Sequence, residues 1–397
     1  MRLSARCASV ALLLLLPFAA PPAAQADSEP ARTAPAPLRT HAVGGIDGQY
    51  IVTLKPNVAS AHAARMAGVT PLHSYSQVLN GFAAKMSPAQ LTAVRNMPEV
   101  AAVEQDAEVT AVPVREGTPS TRVAASSWGL DRIDQPYLPL NGQFNVNGTG
   151  AGVYALILDS GIDYAHPEFA GRAYFGYDAM GDGRRGQDCN GHGTHVAGTV
   201  GGSTFGVARQ VRLVSLRVLG CDGKGSWSGI IGGFEWAAAN AGNAPAVLNA
   251  SLGGPRSEAV NAAATALYEK GVLPVVAAGN SAVDACGISP ASAPGSFTVG
   301  ASNHLDQEAS FSNFGPCLSI YAPGTQIRSA RLGGGSVALD GTSMASPHVA
   351  GVAALYKAQN PTAAPGTVAG WLVDQSVKNT LTVSKTSPNR LLQTGGL

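Results

Sequence analysis

Charge is scarce in this chain. Acidic and basic residues make up 13% of its 397 positions, and 26 Lys and Arg stand against 25 Asp and Glu, a net charge of +1. That balance leaves no electrostatic basis for binding nucleic acid or an anionic membrane. Long apolar runs are scarce as well. ALLLLLPFAA follows the basic start MRLSAR and precedes Ala24-Gln25-Ala26, small residues at cleavage spacing. It is too short for a membrane span and has the form of a secretory signal peptide, residues 1–26. No other stretch reaches membrane length. Cys7 lies before the run, which argues against a lipid anchor. Removing the leader leaves four of the five cysteines, an even number suited to an oxidising compartment. The HExxH zinc motif and the GxSxG elbow of esterases are both missing. What the chain has in plenty is apolar residues, at 45%, and glycine, 48 in all. That composition belongs to a compact globular body with many tight turns.

Residues 27–48, rich in Ala, Pro and Ser, read as an unstructured spacer. Between 49 and 112 the order is β-α-β-β-α-β: YIVTLKP, NVASAHAARMAG, HSYSQVL, GFAAKMS, SPAQLTAVRNM and VAAVEQDAEVTAV. This predicts a small ferredoxin-like α+β domain. Residues 113–127, with Pro113, Gly117 and Pro119, read as an exposed linker. From Trp128 to the end the pattern changes. VYALIL, VRLVSLRVL, AVLNASL, VLPVVAA and FTVGAS alternate with helical stretches such as SGIIGGFEWAAANA. Buried strands alternating with helices predict an α/β domain with a mostly parallel sheet, whose sites sit beyond the carboxyl ends of the strands.

Three polar residues fall at such ends. Asp159 follows VYALIL, His192 lies in NGHGTHVAG, and Ser343 lies in GTSMASPHVAG. Ser343 at a helix start has a plain reading as a cap, with Pro347 tolerated in the first turn. Together the three have the chemistry of nucleophilic catalysis. A serine hydroxyl needs a base, imidazole titrates near neutral pH, and a carboxylate orients the imidazole. Asn280, ending VVAAGN, supplies an amide for an oxyanion, as would the Ser343 N–H at the positive end of a helix. Asp163 is a rival acid, although Asp159 leaves the strand directly. His192 and His195 form an HxxH pair without an evident third ligand, and DGKG at 222–225 lacks phosphate-loop spacing.

The order Asp, His, Ser is that of subtilisin. LDSGID, NGHGTHVAGT, SLGG, AAGN and GTSMASPHVAG resemble the subtilase family of serine peptidases, and WGLDRIDQ, DCNGHGTHVAG, SFSNFGPC and SPNRLL resemble its proteinase K-like, aqualysin-type branch. The likeness covers residues 128–397, and the unit before it resembles the inhibitory propeptide of subtilases. It implies a subtilisin-like fold and a secreted, self-processing endopeptidase with Asp159, His192, Ser343 and Asn280 at its centre. A maturation site would lie in the linker. Substrate would enter as an added β-strand between Ser251-Leu252-Gly253 and Gly223-Lys224-Gly225. Ala277, Ala278 and Gly279 would line a pocket favouring hydrophobic and aromatic side chains before the cut, although core packing explains Ala277 as well. The partners implied are polypeptide substrates and the chain's own propeptide, as inhibitor and folding aid; the enzyme would be a monomer.

Four cysteines allow three pairings, and the resemblance implies Cys189–Cys221 and Cys286–Cys317. It implies no cofactor for catalysis. Structural calcium is the remaining question. Proteinase K-like enzymes place an aspartate ligand where Ser319 stands here, so that site is expected to be lost or weak. A second site near the start of the large domain would use Asp131, Asp134 and Gln135, with Asn141 and Gln143 further on. The alternative is that the two aspartates cap a short helix.

Overall fold

The structure is a computed structural model that describes residues 34–111, 115–116, 127–241, 244–384 and 386–397. The expected signal peptide, the first part of the expected spacer and most of the expected linker lie outside the described residues.

The N-terminal unit contains β1 (Leu38–Arg39), β2 (Gly45–Leu54), α1 (Ser60–Met66), β3 (Pro71–Tyr75), β4 (Gly81–Lys85), α2 (Pro88–Arg95) and β5 (Val100–Ala111). The strands run β5-β2-β4-β3, all antiparallel, so the closing strand lies beside the opening one. The expected spacer does not extend to residue 48. Leu38 and Arg39 pair parallel with β5, and β2 already starts at Gly45. Ala36 and Leu38 pack on the small core, two apolar anchors hidden in an Ala/Pro-rich stretch. Ser87 and Gln90 form a reciprocal capping box, which fixes where α2 starts. Successive side chains of a strand face opposite ways, and here both faces are covered. Val52, Phe82, Ala84 and Val103 pack with α1 and α2, whereas Ile51, Tyr75, Ala83, Ala107 and Val109 belong to a core shared with the large unit.

Within the expected linker, Arg115–Glu116 forms a short strand, β6. The large unit then runs α3 (Trp128–Ile133), β7 (Tyr154–Asp159), β8 (Ala173–Asp178), α4 (His192–Gly201), β9 (Arg212–Arg217), β10 (Lys224–Ser226), α5 (Trp227–Ala241), β11 (Ala246–Ala250), β12 (Leu252–Pro255) and α6 (Glu258–Glu269). It continues with β13 (Leu273–Ala277), β14 (Ile288–Ser289), β15 (Phe297–Ser302), β16 (Ile320–Pro323), β17 (Ile327–Ala330), β18 (Ser336–Asp340), α7 (Thr342–Gln359), α8 (Pro365–Gln375), β19 (Val377–Lys378) and β20 (Arg390–Leu391). The main sheet has the order β19-β20-β16-β15-β13-β11-β7-β9-β8, parallel from β20 to β8. Its central strands are buried on both faces, as their unbroken Val, Ile, Leu and Ala content dictates. On one face α7 crosses β11, β13, β15 and β16 and packs on α4; α5 and α6 pack together in the core shared with the N-terminal unit.

Candidate active site

Asp159 is the last residue of β7, and His192 is the first of α4. His192 Nδ1 donates to Asp159 Oδ1 over 2.8 Å, with both side chains buried. The carboxylate oxygen is therefore met by an N–H, and the other ring nitrogen, Nε2, is the one left to accept a proton. Nε2 is buried with no hydrogen-bond partner among the described residues. Burial pushes the His192 pKa down, but the charge of Asp159, its hydrogen bond and the charge of Asp188 together leave it above the usual value. Asp188 organises the junction. Its carboxylate accepts the backbone N–H groups of Asn190, Gly191 and Thr194 and the hydroxyls of Ser160 and Thr194. It thus satisfies the free Thr194 donor in the first turn of α4, while Asn190 Oδ1 and Ser160 Oγ take those of His192 and Gly193, and it ties that helix to the Asp159 loop. Gly193 is required there, because a Cβ would lie 2.2 Å from the Gly161 carbonyl oxygen. The rival acid, Asp163, instead accepts N–H groups of Ala165, Gln187 and Gly333 and braces two loops.

Ser343 is the second residue of α7 and is fully buried. It caps nothing: no side chain caps α7, and the Ser343 hydroxyl donates to the Ser251 carbonyl over 3.1 Å. Nor does it hydrogen-bond His192 in this structure. Pro347 is the sixth residue of α7 rather than part of the first turn. It lacks the N–H that would serve the carbonyl of Ser343, four residues earlier. The Ser251 hydroxyl supplies that bond at 2.9 Å. Asn280 follows β13 and turns its side-chain oxygen to Thr342, accepting the backbone N–H at 2.9 Å and the hydroxyl at 2.8 Å. That fixes the Asn280 amide group on the side away from Thr342. Gly279 has φ +105, and a Cβ there would lie 2.3 Å from Asn313 Nδ2, which excludes other residues. Ala277 and Ala278 are buried, and Ala278 sits in the core shared with the N-terminal unit. His195 points away from the centre, its Nε2 toward the carbonyls of Ile327 and Val337, and burial pushes its pKa down to about 3.

The two expected clamping segments hold a strand. Residues 108–111 of β5 lie between β10 and β12, antiparallel to both. Lys224, Gly225 and Ser226 stand opposite Thr110, Val109 and Glu108, while Leu252 and Gly253 stand opposite Ala111 and Thr110. Ala111 N–H also donates to the Gly223 carbonyl over 2.8 Å. A segment of the chain itself therefore fills a three-stranded cleft whose β12 edge begins one residue after Ser251.

Comparison with known proteins now decides the family. The subtilase family model matches residues 150–394, and the peptidase inhibitor I9 model matches residues 49–111. The chain is a subtilase. It is 45% identical over 347 residues to an extracellular serine proteinase of Thermus sp. (strain Rt41A), covering 86% of this chain and 82% of that one. It is also 45% identical over 331 residues to alkaline serine exoprotease A of Vibrio alginolyticus, covering 83% of this chain and 61% of that protein's length. A crystal structure of a cold adapted subtilisin-like serine proteinase superposes with a TM-score of 0.65 at 48% identity, over 67% of this chain and 97% of that one.

In this subtilase, Cys189 is bonded to Cys221 and Cys286 to Cys317, with Cα atoms 4.8 and 5.3 Å apart. Each closes a loop of 32 or 31 residues, worth about 3.5–4 kcal/mol in the chain-entropy model. Around α3, Asp131 accepts the N–H groups of Asn141 and Gly142, and Asp134 Oδ2 accepts that of Asn145. Asp134 Oδ1 is buried without a hydrogen-bond partner among the described residues, and burial, with the charge of Asp131, raises the Asp134 pKa. Gln135 gives its amide N–H to the carbonyls of Tyr137 and Pro139. Among the described residues no three His, Cys, Asp or Glu side chains gather to hold a metal.

The sequence reading missed Asp188, Thr342 and three acids that join the units of the subtilase. Asp106 of β5 accepts the Ser228 N–H at the start of α5, and Glu104 accepts the Ala259 N–H at the start of α6. In return, Glu235 of α5 accepts the N–H groups of Ser76, Gln77 and Val78. VAAVEQDAEVTAV hinted at the first two, since Glu104 and Asp106 lie two apart, and so on one face, in a strand that is otherwise mostly apolar.

Proposed function

We propose that this subtilase is a secreted endopeptidase made as a precursor that its own N-terminal unit inhibits and that it processes itself. The observation that carries the reading is the buried 2.8 Å bond from His192 Nδ1 to Asp159. It holds the ring in the tautomer whose Nε2 accepts a proton. In the reaction, Ser343 Oγ rotates from the Ser251 carbonyl, gives its proton to His192 Nε2 and attacks the carbonyl carbon of the scissile bond. The oxyanion takes hydrogen bonds from the Asn280 amide and the Ser343 N–H. His192 then protonates the leaving amine, the C–N bond breaks, and water hydrolyses the acyl-enzyme by the same route in reverse. The rotation is a single χ1 change, and such hydrogen bonds tighten once substrate is bound.

Substrate lies as β5 does, paired with β10 and β12, and backbone pairing of this kind admits many sequences. The uncharged walls Ala277, Ala278 and Gly279 favour hydrophobic and aromatic residues before the cut. Calcium, where bound, adds stability and takes no part in the chemistry; Asp131, Asp134 and Gln135 would hold it.

The deciding experiment is Ser343→Ala. The purified variant is expected to hydrolyse no peptide anilide and to remain at precursor size, with the 113–127 segment uncut. Recovery of processed protein from that preparation would refute self-cleavage, and residual hydrolysis near the native rate would refute the nucleophile.

A further inference from the structure

The strands of the main sheet have a second concave site at their amino ends, away from Asp159. Tyr154 opens β7 beside Arg212, the first residue of β9, and Asp159 closes β7 five residues later, about 17 Å along the strand. Against Tyr154 lies a cavity of about 370 Å³, a volume in the range of small-molecule sites. Its lining includes the buried side chains of Leu156 and Val214 and the rings of Tyr154, Tyr174, Phe175 and Trp236. We propose that this cavity binds an anionic amphiphile, an apolar chain ending in a carboxylate, whose charge Arg212 receives. The inference is independent of the peptidase reading.

The surroundings fit a ligand of this class. β8 is the last strand of the sheet and has β9 as its sole strand partner among the described residues. Its Tyr174 and Phe175 are 46% and 45% exposed; adjacent large rings left uncovered mark a contact surface rather than a core. The space beside them is built into the backbone. Phe175 stands opposite Ser215 and Tyr177 opposite Leu216, so Gly176 is the extra residue of a β-bulge, a device that re-aims neighbouring side chains. A Cβ at Gly176 would lie 2.6 Å from Val214 and 3.0 Å from Trp236, two residues of the lining. The charge beside the rings is positive. Arg212 Nη1 donates to the Tyr154 hydroxyl over 2.6 Å, and Arg185 lies over the Phe175 ring, 5.5 Å from its centre. Among the described residues neither guanidinium pairs with an acid. A guanidinium has several N–H groups, so donors remain for a carboxylate, while the rings and aliphatic side chains take the apolar part.

The test uses the full-length chain carrying Ser343→Ala, to avoid self-digestion, and bromododecanoate, whose bromine quenches tryptophan fluorescence. Quenching is expected to saturate with a Kd below about 1 mM, to weaken as salt rises and to be largely lost in Trp236→Phe. Arg212→Gln, at an exposed position, should weaken binding by about two- to fivefold. Dodecyltrimethylammonium, with the opposite charge, should displace the probe less well than dodecanoate, and Arg212→Gln should narrow that gap. No saturable quenching, quenching unchanged in Trp236→Phe or in Arg212→Gln, or equal displacement by the two amphiphiles would overturn the inference. So would a dimer of the unliganded chain that shields Trp236, because the face would then belong to a second copy.

Discussion

Pro347 deletes one backbone donor from α7, and the replacement comes from Ser251, at the edge of the cleft. The carbonyl of Ser343, the proposed nucleophile, is therefore fixed to the residue that enters β12, so serine and cleft hold a constant relation. Thr342 does the same for Asn280 by occupying both of its acceptor directions. Asn280→Ala should leave the fold intact and lower kcat by roughly 100- to 1000-fold, the loss known for one such donor in subtilisin itself; steady-state kinetics on a peptide anilide checks it, and unchanged turnover would remove Asn280 from the oxyanion site. As the proposed general base, His192 should set the acid limb of activity. Its pKa is raised, and only the neutral ring accepts the serine proton, so kcat/KM should fall as pH drops through a midpoint above 6.5. Asp159→Asn removes the raising charge and should move that midpoint down. A midpoint below 6 in native enzyme would contradict the assignment.

At the scale of elements, two helices are capped across the junction between units. Asp106 and Glu104 lie two apart on β5 and reach the first turns of α5 and α6, where free N–H groups and the helix dipole favour a carboxylate. Glu235 answers from α5 by collecting three backbone N–H groups of the turn between β3 and β4. Glu235→Ala should weaken inhibition of the mature enzyme by the isolated 49–112 segment by about tenfold, with anilide hydrolysis unaffected. An unchanged inhibition constant would make the contact incidental. The secondary elements were mostly legible because their periodicities are strong: GFAAKMS and VYALIL read as strands and were strands. The hairpin of β17 and β18 was not. IRSA and SVALD are short and half-polar, and only the packing of α4 and α7 around them makes them strands. The spacer was overextended for a similar reason, since two apolar residues in a proline-rich stretch show no period.

For the molecule as a whole, the residues of the centre were readable because each stands beside glycines where a strand ends or a helix begins: Asp159 closes a buried run, Asn280 follows another, and His192 and Ser343 open helices. Asp188 was not readable, because an aspartate before Asn-Gly also suits an ordinary turn. Calcium belongs to this scale, since the 136–145 loop folds onto Asp131 and Asp134 and carries the start of the large unit. Chelator should shorten the thermal half-life of mature enzyme, millimolar calcium should lengthen it, and Asp134→Asn should abolish the difference. An identical calcium response in that variant would exclude the site. The cleft filled by residues 108–111 bears on timing. Before the chain is cut, that strand is tethered, and its effective concentration at the cleft is independent of how much protein is present. After the cut the same pairing becomes an encounter between two molecules, and occupancy obeys mass action. If the chain cuts itself as proposed, peptide-bond cleavage would start the clock without releasing activity. Dilution into a large volume, or destruction of the freed segment by the first molecules to lose it, would then decide when the enzyme switches on.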